Sequence, residues 1–99
     1  MSKTYVPYKF KNIKEIDVDN LNIKFREVRE DYVIYYDDTN TLGFEAHFDN
    51  NGEFNGDVAY CLQLDTHDLE IIEEWHIMDP EENIKLYNFI KNEALKDFK

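Results

Sequence analysis

Residues 32–48, Tyr-Val-Ile-Tyr-Tyr-Asp-Asp-Thr-Asn-Thr-Leu-Gly-Phe-Glu-Ala-His-Phe, decide the fold of this 99-residue chain. The first five are β-branched or aromatic, which favours a strand, and they lead into a cluster of turn-forming residues at 37–40. From residue 42 to 48, apolar side chains alternate with glycine, glutamate and histidine, which is the period of a strand with one buried face. We therefore predict that the two halves form an antiparallel hairpin.

Three further segments have the composition or alternation of strands, and polar turns separate them. They are residues 23–28, 58–64 and 69–77. Asn51-Gly52 and Asn55-Gly56 favour positive φ and predict the turn of a second hairpin before the middle segment. Glu73 interrupts the apolar face of the last segment, so either a bulge turns it outward or its carboxylate lies at the rim of the core.

The chain closes with the signature of one amphipathic helix. Asp79-Pro80-Glu81-Glu82 supplies an N-cap, a proline suited to the first turn and two acids that interact well with the helix dipole. Apolar residues then recur at intervals of three and four. These elements predict an α+β fold, with an antiparallel meander of about five strands and a C-terminal amphipathic helix on one face. We expect a single domain, 1–99, with an N-terminal arm or edge segment at 1–20, the sheet at 21–78 and the helix at 79–99.

Charge is distributed unevenly along the chain, whose formal net charge is -11. Residues 1–14 contain four lysines and no acid, whereas residues 30–84 contain sixteen acids and neither lysine nor arginine. A sheet with this charge repels nucleic acid and anionic membranes, so neither is expected as a direct partner.

The composition predicts a cytoplasmic protein without a signal peptide or a membrane span, because no long apolar run is present. Cys61 is the sole cysteine, and its apolar neighbours indicate a core residue in a reducing compartment rather than a reactive thiol.

No motif for catalysis, a metal or a cofactor stands out. The three histidines are spaced unlike a compact metal site, and we interpret them as surface residues. Residues 49–57 alternate oxygen-bearing side chains as a calcium loop does. Whether the twelve-residue loop is counted from Asp49 or from Asn51, it does not have both the glycine at its sixth position and the glutamate at its twelfth, so we expect a structural turn. Serine occurs only at position 2, and no nucleophile motif exists. We therefore expect no enzymatic activity, no metal and no cofactor.

The acidic segment has two interpretations. Its carboxylates are either the solvated face of an ordinary sheet or a surface selected for binding a strongly basic protein, such as a nuclease or another protein that handles nucleic acid. In the second interpretation, exposed acids steer the partner and aromatic side chains anchor it. The candidate contacts are Asp37, Asp38, Glu45, Asp57, Glu70, Tyr32, Tyr36 and Trp75.

Three short motifs near the end of the chain carry a resemblance. Glu74-Trp75-His76, Asp79-Pro80-Glu81-Glu82 and Leu86-Tyr87-Asn88-Phe89-Ile90 resemble the closing strand, turn and helix of some contact-dependent-inhibition immunity proteins. The resemblance covers less than a fifth of the chain. It implies a stoichiometric inhibitor of a toxin domain, often a nuclease, with no activity of its own.

Two further functions fit the sequence. A phage-encoded anti-defence inhibitor that mimics nucleic acid, acting against CRISPR or restriction systems, would use the same acidic segment. A small enzyme or ligand-binding domain would instead need a pocket, for which Glu73, His76 and His47 are the candidate lining residues.

Overall fold

The computed structural model describes residues 13–37, 42–61, 64–65, 70–71 and 75–98. Within these ranges it contains seven strands, three short 3-10 turns and one α-helix. The strands and the helix are β1 (Phe25–Val28), β2 (Tyr32–Asp37), β3 (Leu42–Phe48), β4 (Phe54–Cys61), β5 (Leu64–Asp65), β6 (Glu70–Ile71), β7 (His76–Ile77) and α1 (Ile84–Asp97).

Five of the strands form one antiparallel sheet in the order β1-β2-β3-β4-β7, and β5 and β6 pair as a separate two-stranded ribbon. Helix α1 packs against β3 and β4. The predicted α+β fold, a five-stranded meander with a C-terminal helix on one face, is confirmed. None of the helices in the described ranges is long and apolar enough to cross a membrane.

The main core lies between α1 and the sheet face that we call the inner face. Val33, Phe44 and Val58 are fully buried there, and the helix contributes Leu86, Ile90 and Ala94. The alternation seen in residues 42–48 produces this arrangement, because its apolar half points to the inner face. Burial of these side chains is the main stabilising contribution to the fold.

The last turn of α1 is held to the first two strands by charged side chains. The Tyr35 hydroxyl donates to Asp97 Oδ2 over 2.8 Å, and Arg26 Nη1 donates to the same oxygen over 3.2 Å. Arg26 also pairs with Glu93, with 2.8 Å between Nη1 and Oε1. Burial, and then the hydrogen bond to Asp97, raise the pKa of Tyr35 far above its ordinary value, so the hydroxyl remains a proton donor.

The β3–β4 connection is shorter than predicted. Gly52, with φ of 79°, lies in the turn, where Asp49 Oδ1 accepts from the backbone N–H groups of Asn51 and Glu53. Gly56, with φ of 97°, lies inside β4 rather than in a turn. The Asn55-Gly56 dipeptide therefore marks an irregularity within a strand, a second common use of a glycine with positive φ.

The helix begins four residues later than expected, and its N-cap differs from the predicted one. Asp79 caps a 3-10 turn at Pro80–Glu82, with Oδ1 accepting from Glu81 N over 3.0 Å. Asn83 is the N-cap of α1, since its Oδ1 accepts from Leu86 N over 3.2 Å. The prediction that Asp79 caps the final helix is therefore wrong, although the acid does cap the turn that leads into it.

The second half of the predicted N-terminal arm is part of the packed structure. Residues 13–20 form two 3-10 turns, and Ile13 and Ile16 are buried in the main core. Both of their carbonyl oxygens accept hydrogen bonds of 2.9 Å from Asn83 Nδ2, so one side chain joins this segment to the start of α1. Residues 1–12 and Glu73, with the alternatives raised for it, lie outside the described residues.

Candidate functional site

The candidate site lies on the sheet face turned away from α1, which we call the outer face. Strand register assigns side chains to this face, and Trp75 joins them just before β7. The outer-face residues used below are Phe25, Glu27, Tyr32, Ile34, Tyr36, Gly43, Glu45, His47, Ala59, Cys61, Trp75 and Ile77. They combine large aromatic side chains with the carboxylates of Glu27 and Glu45, the composition expected of a surface that binds cationic groups. Glu27 is already paired with Arg29, whose charge also acts on Tyr36, so Glu45 is the carboxylate considered below.

A carboxylate and an imidazole lie side by side on β3. Glu45 and His47 are two residues apart and therefore point to the same face. Glu45 Oε1 is 3.1 Å from His47 Nε2, and the Glu45 side chain is only 17% exposed. The ring of Tyr32, directly opposite on β2, stacks on the imidazole with 5.6 Å between centroids.

The electrostatics of this group follow from its partial burial. Burial raises the pKa of Glu45, and the opposing effect of His47 is too small to cancel it. The charge of Asp31, in the β1–β2 turn, raises the same pKa further. Burial, and then the charge of Glu45, raise the pKa of Tyr36. The carboxylate is thus held where its charged form is poorly solvated.

Glu45→Gln is therefore expected to leave the fold as stable as the unchanged protein, or more stable, at about pH 7. Because the folded-state pKa of Glu45 is raised, the folded protein binds this proton more tightly than the unfolded chain does. Stability is consequently lost as the pH rises from the pKa of Glu45 in the unfolded chain to its higher pKa in the folded protein. Glutamine removes that loss because it does not titrate. Urea melts at about pH 7 and about pH 3 test this, since the advantage of glutamine disappears once Glu45 is protonated in both states. A clear loss of stability at the higher pH contradicts it.

Aromatic rings form the other half of the outer face. A Cβ atom placed on Gly43 would lie 3.0 Å from Trp75 Cη2 and 3.5 Å from Tyr36 Cδ1, so the two rings occupy the space that a side chain would need. Phe25 continues the row, with 5.2 Å between its ring centroid and that of Tyr36. Glycine at position 43 thus allows the indole to lie close against the sheet.

The structure brings four of the predicted contacts together. Tyr32, Tyr36, Glu45 and Trp75 all belong to the outer face. Ile34, Ala59 and Cys61 are buried beneath or beside them, outside the main core cluster. The aromatic and carboxylate groups therefore stand on a packed apolar base.

Asp37 requires a correction. It was chosen as an exposed residue, but it is 0% exposed, and its Oδ2 accepts from Asn22 N over 2.9 Å. The carboxylate therefore ties the segment before β1 to the end of β2, and it is not accessible to a partner. A turn-forming residue at a strand end is buried here because the preceding segment folds over it.

The other predicted acids do not join the outer-face group. Asp57 is exposed next to Gly56, and its charge acts on Tyr87 of the helix, whose pKa it raises in addition to the effect of burial. Asp38 lies outside the described residues, and of Glu70 only the backbone, paired with Asp65, is described. Glu45 is thus the predicted acid that the structure places among the aromatic side chains.

The pocket considered for an enzyme does not form from the histidines named for it. His47 contacts Glu45 and Tyr32 on the outer face. His76 contacts Tyr60, which packs against the main core, with 5.6 Å between ring centroids. The two imidazoles lie on opposite sides of the sheet and cannot line one cavity.

An acidic hollow of about 250 Å³ lies beside the β3–β4 turn and involves Glu30, Asp31 and Asp49. Asp49 Oδ1 already accepts two backbone hydrogen bonds that shape the turn. This geometry supports a structural role for the turn, and the absence of useful calcium affinity stays a prediction. No group of three or more metal-ligating side chains occurs among the residues that the structure describes.

Sequence reasoning missed the roles of Gly43 and His47. The alternation in residues 42–48 already places both on the face that carries Glu45, and that signal identifies the neighbours of the carboxylate. The contact of Tyr32 with His47 depends instead on strand register, which residue types alone do not fix.

Comparison with known proteins adds no relative, because no protein-family model, no curated protein and no solved structure matches this chain.

Proposed function

We propose that this protein is an acidic binding protein that neutralises a basic protein partner through its outer face. The observation that carries the proposal is the grouping of Tyr32, Tyr36 and Trp75 around the half-buried carboxylate of Glu45. Aromatic side chains dominate the energetics of protein interfaces, and carboxylates among them select a cationic partner.

Segregation of charge supports the same proposal. The strands from β2 to β7 belong to the part of the chain that has acids but neither lysine nor arginine, whereas α1, on the other side of the sheet, carries Lys85, Lys91 and Lys96 together with Glu93 and Asp97. A basic partner is therefore attracted more strongly to the strands than to the helix. Such a field raises the rate of encounter and orients the partner before contact.

The most specific form of the proposal is an immunity protein that blocks a toxin domain, often a nuclease. It is supported by the resemblance of the closing strand, turn and helix to contact-dependent-inhibition immunity proteins. An acidic inhibitor of this kind works by occupying the basic channel in which the nuclease binds its substrate. A phage anti-defence inhibitor would use the same face and the same chemistry, and the gene beside the coding sequence distinguishes the two, because a toxin gene indicates immunity and a phage operon indicates anti-defence.

The proposal predicts a partner whose affinity depends on salt. We expect a pull-down from the native host, followed by titration, to give an affinity that falls on the order of tenfold or more as sodium chloride rises from about 0.05 to about 0.5 M. Asp31→Lys, next to the outer face, is expected to weaken binding strongly. Glu81→Lys, an exposed substitution of equal charge change at the 3-10 turn before α1, is the matched control and is expected to have a smaller effect.

Two results would contradict the proposal. One is a partner whose affinity responds to neither salt nor Asp31→Lys. The other is a measurable turnover of a small molecule in the absence of any partner, which would favour the enzyme hypothesis.

A further inference from the structure

We infer that the outer face receives an arginine side chain of the partner, with its guanidinium group held by the Glu45 carboxylate and stacked on the rings of Tyr36 and Trp75. This inference rests on the proposed function and specifies the group that the partner presents. It follows from the Glu45 oxygen that His47 does not contact, from the position of the two rings and from the chemistry of guanidinium.

The carboxylate has capacity for a further donor. Among the described residues, the group that pairs with Glu45 is His47, which occupies Oε1. His47 leaves Oε2 available as an acceptor, and the side chain lies in surroundings dry enough to raise the pKa of its carboxyl group. A cation that reaches this oxygen recovers part of the solvation that the fold has removed, and the attraction is stronger there than at a fully hydrated carboxylate.

The rings stand next to the carboxylate. Residues of one strand that share a face are about 7 Å apart, so Gly43, against which the rings of Trp75 and Tyr36 pack, is one side chain away from Glu45. The charge of Glu45 also acts on the Tyr36 hydroxyl, whose pKa is raised by burial and then by this charge. A guanidinium bound to the carboxylate therefore lies beside these rings, and a cation and an aromatic ring attract each other within roughly 6 Å.

Arginine fits this arrangement better than lysine does. Guanidinium is planar, is weakly hydrated and carries donors in a fixed fork, so it can stack on a ring and bind a carboxylate at the same time. The lysine ammonium is compact and strongly hydrated, and it gives up more solvation on entering a half-buried site. The outer face therefore distinguishes between two side chains of equal charge.

The test uses the full chain with octaarginine and octalysine peptides as probes. Trp75 is the sole tryptophan, so its fluorescence reports directly on a group that stacks against the indole. We expect octaarginine to alter this fluorescence and to bind more tightly than octalysine. Glu45→Gln is expected to weaken octaarginine on the order of tenfold, a loss of about 1.4 kcal/mol. Asp31→Asn removes one charge from the neighbouring turn and is expected to weaken it by less than about threefold.

Two further variants separate stacking from charge. Tyr36→Phe keeps the ring and is expected to bind octaarginine as the unchanged protein does, whereas Tyr36→Ala is expected to lose several-fold in affinity. Circular dichroism and urea melts establish that each variant is folded.

The inference is overturned if Glu45→Gln and Asp31→Asn weaken octaarginine equally, if octalysine binds as tightly as octaarginine, or if octaarginine does not bind. The proposed function survives the first two results when the native partner still binds in a salt-dependent manner. It fails separately if the affinity of that partner is insensitive to salt.

Discussion

Ile90→Ala is expected to lower the free energy of unfolding by about 2–5 kcal/mol, the range observed when a large buried aliphatic side chain is truncated. Ile90 is 1% exposed and lies on the middle turns of α1, between Leu86 and Ala94 in the main core. Alanine removes three carbon atoms from a site enclosed by the sheet, so a cavity remains in addition to the lost burial. Urea denaturation followed by circular dichroism measures the change.

The matched control is Leu95→Ala on the same helix. Leu95 is 47% exposed, and truncation there is expected to change stability by no more than about 1 kcal/mol. Equal effects of the two substitutions would mean that α1 is not docked through the Ile90 side. That result would contradict the assignment of the inner face.

Asn83→Ala is expected to lower the free energy of unfolding by about 2–4 kcal/mol, a loss similar to that of Ile90→Ala, although the side chain that is removed is polar. The substitution removes the N-cap of α1, which contributes about 1 kcal/mol. It also removes the hydrogen bonds of 2.9 Å to the carbonyl oxygens of Ile13 and Ile16, and each lost bond adds about 1 kcal/mol, although the Ile13 carbonyl keeps a bond of 3.4 Å from Ile16 N. Thermal or urea melts of the purified variant test the sum.

Two comparisons identify the source of that loss. Asn88→Ala changes the same residue type at an exposed position of α1 and is expected to be neutral or slightly stabilising, since alanine is the better helix former. Asp79→Ala removes the cap of the preceding 3-10 turn alone and is expected to cost about 1 kcal/mol. If Asn83→Ala costs no more than Asp79→Ala, the hydrogen bonds to Ile13 and Ile16 do not contribute to stability.

The regular parts of the fold could be predicted because their side-chain periods are local. The segment 42–48 is a strand with the predicted bounds, and the predicted apolar stripe supplies the buried side of α1 with Leu86, Ile90 and Ala94, whereas Ile84 at its start is 54% exposed. The start of the helix could not be predicted in the same way, because Asp79 and Asn83 are both good caps. Their assignment depends on Ile13 and Ile16, about seventy residues away, which engage the amide of Asn83.

The candidate site could be predicted in part. Residue type and charge alone identify Tyr32, Tyr36, Glu45 and Trp75. The error at Asp37 arose because exposure was inferred from its place at a strand end, whereas its burial depends on the contact with Asn22. Likewise, the position of Trp75 over Gly43 could not be predicted, because Gly43 lies on β3 and Trp75 lies just before β7, and these strands are not neighbours in sequence.

The attachment of Asp97 to Arg26 and Tyr35 has a consequence for synthesis on the ribosome. These hydrogen bonds connect residues 71 and 62 positions apart, so the strands leave the ribosome long before the helix that covers them. During that interval the inner face is exposed to other chains, and nascent intermediates with open apolar surface are prone to aggregate. The acidic residues from 30 to 84 emerge during the same interval, and like charges on neighbouring nascent chains repel one another.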